Sequence, residues 1–148
     1  MNGRRGYLAI LACTILASCA SPAPRSPPAV TQTTPDIDWT KARPVTVRLS
    51  DFAFTPDHLT FEAGAPVRLI LVNAGSGTHD FAAPGFFATV AYRQGTDPVA
   101  GGDLTLKAGG TAELDLVPAQ PGTYPLECTE FLHALFGMTG TIVVTNRS

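Results

Sequence analysis

From Val45 to Thr145 the chain is cut into short runs in which apolar and polar residues alternate, each bounded on at least one side by glycine or proline, and this pattern limits the fold more than any other feature. Val45, Val47 and Leu49 alternate with polar residues in VTVRLS, and the same period recurs in HLTFEAG, DLTLKAG, GTYPLEC and GTIVVT. It is clearest in PVRLILVN, through Val67, Leu69 and Leu71, and in TAELDLVP, through Leu114 and Leu116. A period of two places every second side chain on one face of a strand, so each run can bury one face only. Turn residues stand at the junctions: Gly64-Ala65-Pro66, Gly75-Ser76-Gly77, Gly109-Gly110 and Pro121-Gly122. About seven such strands have to cover one another's apolar faces, which predicts an all-β, antiparallel two-sheet sandwich. Leu69, Leu71 and Val144 hold the inward phase of their strands and are expected in its core. Residues 83–102 lack the alternation and read as a loop with one turn of helix around residues 86–90.

Two segments precede the strands. Residues 1–18 carry Arg4 and Arg5 ahead of an apolar run from Tyr7 to Ala17, the order of a bacterial export signal. That run falls short of the about 20 apolar residues that span a bilayer. It ends in Leu16-Ala17-Ser18-Cys19, which resembles the lipobox of bacterial lipoproteins. The resemblance implies cleavage before Cys19, lipidation of its thiol, and a protein anchored to a membrane of the cell envelope, facing the periplasm or the exterior. Ala20, where aspartate often signals inner-membrane retention, favours the outer membrane in a cell that has two. Residues 19–44 then form a Pro-, Ser- and Thr-rich tether whose prolines exclude regular helix and favour an extended spacer. The folded domain is expected over residues 45–148.

Charge argues against a polyanion as partner. Without the two leader arginines the chain carries 8 basic against 12 acidic residues, a net charge of −4. No basic stripe interleaved with aromatics is present, so nucleic acid is not an expected partner.

The cysteines carry the chemistry. Cys13 lies in the leader and Cys19 at the lipid site, which leaves Cys128 alone in an exported domain. An unpaired thiol there is either buried and inert or ligated. Its surroundings favour ligation, since in CTEFLHALFGM His133 follows at five residues and Met138, the one methionine beyond Met1, at ten. Thiolate, imidazole and thioether on one loop suit an ion that moves between Cu(I) and Cu(II). A trigonal His₂Cys site with a weak axial Met needs a second imidazole. His79, after an apolar strand and a glycine-rich turn, is better placed than His58, which reads as a surface residue in a proline turn.

At this point the span from Val45 to Thr145 resembles the cupredoxins, the superfamily of plastocyanin and azurin. FAFTPDHLTFEAGAPVRLILVNAGSGTHDF is similar to the family's first half, and TYPLECTEFLHALFGMTGTIVV to its closing ligand loop and last strand. The resemblance implies a Greek-key sandwich with one copper ion at one end, held by His79, Cys128, His133 and Met138. Two departures stand out. Where relatives often have Asn after the first histidine, this chain has Asp80, which only Thr129 Oγ1 or backbone donors are expected to answer. Thr-Glu-Phe-Leu replaces the Pro-Gly found before the second histidine in many relatives, giving a bulkier and more helical loop.

The function this implies is electron transfer, with a redox partner docking near His133. Phe131, Leu132, Ala134, Leu135 and Phe136 flank that histidine either as an exposed docking face or as a plug over the metal. The alternative is an envelope protein that buffers or delivers copper, although the methionine- and histidine-rich tracts that would favour it are missing. Catalysis is not expected: Cys128 and His133 lack an orienting third group, and the three histidines cannot furnish the further sites of a copper oxidase.

Overall fold

A computed structural model describes residues 37–147. The leader, the lipid site at Cys19 and most of the tether lie outside the described residues.

Among the described residues ten strands form, with β1 over Arg43–Ser50, β2 over Ala53–Thr55, β3 over His58–Glu62, β4 over Val67–Asn73 and β5 over His79–Ala82. A single helical turn, α1, covers Pro84–Phe87. The rest are β6 (Val90–Tyr92), β7 (Asp103–Leu106), β8 (Thr111–Pro118), β9 (Gly122–Glu127) and β10 (Thr139–Thr145). Two five-stranded sheets result, in the orders β2-β1-β4-β8-β6 and β3-β10-β9-β5-β7. The chain is thus the expected two-sheet sandwich, and its alternation works as read. Val67, Leu69 and Leu71 of β4 are buried while Arg68, Ile70 and Val72 are partly exposed. Val144 is buried on β10.

The sheets are not antiparallel throughout. β1 pairs parallel with β4, Val47 opposite Leu71, and β3 pairs parallel with β10, Ile142 opposite Leu59. Alternation is the same for both pairings, so the sequence could not separate them. The physical reason is a crossing: after β2 the chain passes to the other sheet for β3, then returns for β4 beside β1. Residues 83–102 also hold more than one helical turn, because β6 pairs with β8 at Tyr92 opposite Leu116.

Aromatic rings bind the two layers. Phe54 and Phe81 meet edge to face at 5.9 Å, and Phe61 stacks on Phe86 of α1 at 5.6 Å. Phe86 and Phe87, on a turn opened by Pro84, are buried and close one end of the core.

Two consequences of this topology position the site. β9 and β10 are antiparallel with Glu127 opposite Thr139, so residues 128–138 are a loop closed at its base. The Cys128 N–H donates to Met138 O at 3.1 Å and extends the ladder by one rung. The parallel β1–β4 pair brings both C-terminal ends together, with Leu49 opposite Asn73, so residues 50–52 lie beside residues 74–78. Ala74 N–H donates to Leu49 O at 2.8 Å across that junction.

Candidate metal centre

Asn73 ends β4 buried, and its side chain shapes the turn that delivers His79. Its Nδ2 donates to Gly77 O at 2.9 Å and to Leu106 O at 2.8 Å, while its Oδ1 accepts from Gly75 N–H at 2.9 Å. His79 follows as the first residue of β5, with its ring wholly buried. On the other side Cys128 is buried just beyond β9, and His133 stands on the loop, partly exposed. That loop is a series of turns rather than the helix its composition suggested. His133 N–H donates to Glu130 O and Gly137 N–H to Ala134 O, with longer-range bonds from Phe136 N–H to Leu132 O and from Met138 N–H to His133 O. Leu132 at φ 65° breaks any continuous helical ladder.

His79, Cys128 and His133 come together although 49 residues separate the first two. His79 Nδ1 lies 3.2 Å from His133 Nδ1 and 4.0 Å from Cys128 Sγ, and Cys128 Sγ lies 3.4 Å from His133 Nδ1. Metal bonds to N and S of about 2.0–2.3 Å place trigonal donors roughly 3–4 Å apart, and the three distances lie at that spacing. Among the described residues this is the one group of three His, Cys or acidic side chains close enough to share an ion. His58 stays outside it: it is exposed and its Nδ1 lies 3.0 Å from Asp57 Oδ1. Met138 is fully buried at the loop's end, with its N–H donating to His133 O at 3.0 Å.

The chemistry of the donors also fits a cation. His79 Nε2 faces Asp51 Oδ1 at 3.2 Å. An ionised carboxylate only accepts, so Nε2 is the nitrogen that carries a proton toward Asp51, and Nδ1 is the one turned toward Cys128 and His133. Two imidazole nitrogens 3.2 Å apart stand at a separation that a shared proton or a metal ion can bridge. Burial pushes the Cys128 thiol up, with the Asp80 N–H, 3.3 Å from Sγ, pulling the other way. A buried thiol of this kind loses its proton most readily to a bound metal. Asp51, by contrast, is held below the usual carboxylate range, mainly by Ser76 and further by His79.

Asp80 is answered as expected by Thr129, whose Oγ1 donates to Oδ2 at 2.6 Å. The expectation was too narrow in one respect: Thr105 Oγ1 also donates to Oδ1 at 2.7 Å, from the position opposite Asp80 on β7. Asp80 therefore ties β5, β7 and the ligand loop together. Sequence reasoning also missed Asp51, Phe52 and the close approach at Gly75. A Cβ on Gly75 would strike His79 Nε2, and it would stand 2.7 Å from Asp51 Oδ1. The Phe52 ring meets His133 edge to face at 5.2 Å and Phe136 at 5.4 Å. An acid and an aromatic in a turn carry no local mark of such a role.

The residues around His133 face outward rather than forming a plug. Phe131 is 84% exposed, Leu135 77% and Phe136 62%.

Comparison with known proteins agrees with this geometry. The profile of the cupredoxin-like domain family matches residues 7–144. A solved structure of auracyanin B is similar, with 27% identity and a TM-score of 0.53 over 74% of this chain and 93% of that one. Dithionite-reduced auracyanin from the photosynthetic bacterium Roseiflexus castenholzii shares the fold at 16% identity, with a TM-score of 0.54 over 70% of this chain and 98% of that one. No curated protein matches the sequence. His79, Cys128, His133 and Met138 are positioned as in a single type-1 copper site.

Proposed function

The chain belongs to the cupredoxin-like family, and on that premise we propose that it is a one-electron carrier whose single copper ion is held by His79, Cys128, His133 and Met138. The observation that carries the reading is the convergence of one thiol and two imidazoles, 3.2–4.0 Å apart, from the start of β5 and from a loop far along the chain. Bound copper alternates between Cu(I) and Cu(II) and so takes up and returns one electron. The protein's part is to keep the donors where they are in both states. His79 is fixed by Asp51 and the Asn73 turn, Cys128 by the Asp80 N–H and the β9–β10 ladder, and His133 by the backbone of its own loop. Donors that do not move between states keep the reorganisation of each transfer small.

The working place in this reading is the bacterial cell envelope, with the chain held to a membrane through lipidated Cys19. The leader, the lipobox-like Leu16-Ala17-Ser18-Cys19 and the proline-rich tether support it. A redox partner would dock over His133. That ligand is partly exposed and stands among outward-facing Phe131, Leu135 and Phe136. Weak electron-transfer encounters bury less than about 1,200 Å², which a patch of this kind can supply. The reading includes no catalytic step.

Cu(II) titration of the protein followed by visible spectroscopy tests it. An intense thiolate-to-copper band, with a reversible one-electron wave in voltammetry, is the expected result. Copper uptake without a reversible wave would replace the carrier with a copper buffer, and no band at all would remove the site.

A further inference from the structure

His79 is oriented by a side-chain carboxylate rather than by a neutral group. Its Nε2 faces Asp51 Oδ1 at 3.2 Å, on the side of the ring opposite Nδ1. Asp51 belongs to the turn between β1 and β2, and its own position is fixed by the loop that delivers His79. Ser76 N–H donates to Oδ1 at 3.0 Å and Ser76 Oγ to Oδ2 at 2.9 Å. Gly75 lies against both the ring and the carboxylate, with no room for a side chain between them. The group is therefore built in from two loops, and neither oxygen can swing away without breaking a bond to Ser76.

A carboxylate on the far nitrogen acts in two ways. It holds the proton on Nε2, which leaves Nδ1 as the donor, and its negative charge makes that donor more basic. The higher charge state of a bound ion gains more from this than the lower one. Asp51 is 49% exposed, so water screens part of the effect. We propose that Asp51 is a positioning residue of the metal centre that sets the His79 tautomer and biases the bound ion toward Cu(II). The proposal rests on the copper reading above for its second half only.

Asp51→Asn keeps the shape and an accepting oxygen and removes the charge, and Asp51→Ala removes both. In the full chain, Asp51→Asn is expected to weaken Cu(II) binding about tenfold more than Cu(I) binding, within the range seen when partners of ligating histidines are changed. For a one-electron couple that ratio is an upward shift in potential of about 59 mV. Asp51→Ala is expected to shift it at least as far. Equal potentials in the natural protein and both variants overturn the bias toward Cu(II). Nitrogen-15 NMR of the metal-free chain reads the other half. His79 is expected as the Nε2–H tautomer in the natural protein and as a mixture in Asp51→Ala. A natural protein with the proton on Nδ1, or an Asp51→Ala spectrum identical to it, overturns the orienting role. If the natural protein takes up no copper, the carrier reading and the proposed bias fail together, while the NMR comparison still decides whether Asp51 orients His79.

Discussion

Cys128 and Met138 are both buried at the base of one loop, yet they are expected to matter in different ways. A hydroxyl is a far poorer copper ligand than a thiolate, so Cys128→Ser should abolish the charge-transfer band. A variant that keeps its colour would show that another residue supplies the thiolate-like donor. The axial thioether of such sites is long and weak. Met138→Leu, a swap of similar volume that costs a core under about 1.5 kcal/mol, should keep copper and shift its potential. Loss of the metal by elemental analysis would mean that the thioether is a principal ligand. Asp80 sits beside these ligands and acts through both halves of the residue. Its backbone N–H donates to the thiol, while its carboxylate accepts from Thr105 and Thr129.

Between elements, one contact bears on the ligands and a second on the sheet from which the turn to His79 departs. The first is the turn from β4 to β5. A Cβ on Gly75 meets His79 and Asp51, so Gly75→Ala has to displace the ring or the loop. Overpacking of this sort costs about 1–3 kcal/mol. Copper affinity should therefore fall, measured by competition with a chelator, while the sandwich still melts cooperatively. The second is the ion network across β4 and β8. Arg68 Nε and Nη2 donate to Asp115 at 2.8 and 3.0 Å, and Arg93 Nη1 donates to it at 3.0 Å. Arg68 first, and then Arg93 against the cost of burial, hold the Asp115 carboxyl below the usual carboxylate range. A depressed carboxylate stabilises the fold above its unfolded pKa of about 3.9 and loses that contribution as pH falls through the lower folded value. Asp115→Asn should accordingly lower stability at neutral pH by about 1.5–3 kcal/mol, the worth of charged hydrogen bonds. It should also flatten the decline in stability below about pH 4. Urea unfolding at several pH values checks both signs.

For the whole molecule, a preformed site at one end of a rigid sandwich makes copper a stabilising ligand. A ligand at 100 times its dissociation constant adds about 2.7 kcal/mol, and each kcal/mol raises Tm by about 4–8 °C in a domain of 60–100 residues. Calorimetry with and without copper should record a rise in the natural protein and none in Cys128→Ser. The outward-facing Phe131, Leu135 and Phe136 leave one end of the domain apolar, whereas the net charge beyond the leader is negative. The proposed lipid anchor is tested separately. Cys19→Ser should release the protein from membrane fractions, as read by fractionation and immunoblotting, with the copper band unchanged.

The sequence by itself determined most of the strands, though not β2, β5 or β6, and most of the donor set. Alternation in PVRLILVN assigned Leu69 and Leu71 to the core because strand geometry fixes which side each residue faces. Cys128, His133 and Met138 were legible because three ligand types recur on one short loop, and His79 because a glycine-rich turn after a strand leaves few other places for a second imidazole. Pairing direction was not legible, since a strand carries the same pattern whether its neighbour runs parallel or antiparallel. That direction is what placed the turn after β1 beside the turn after β4. Asp51 reaches His79, 28 residues away, only through it. Thr105 opposite Asp80 on β7 and Phe52 against His133 likewise meet their partners only in the folded chain. Local pattern records what a residue does within its own strand or loop. Which side chains support a ligand from another strand is set by how the sheets are crossed and closed, and only the tertiary structure decides that.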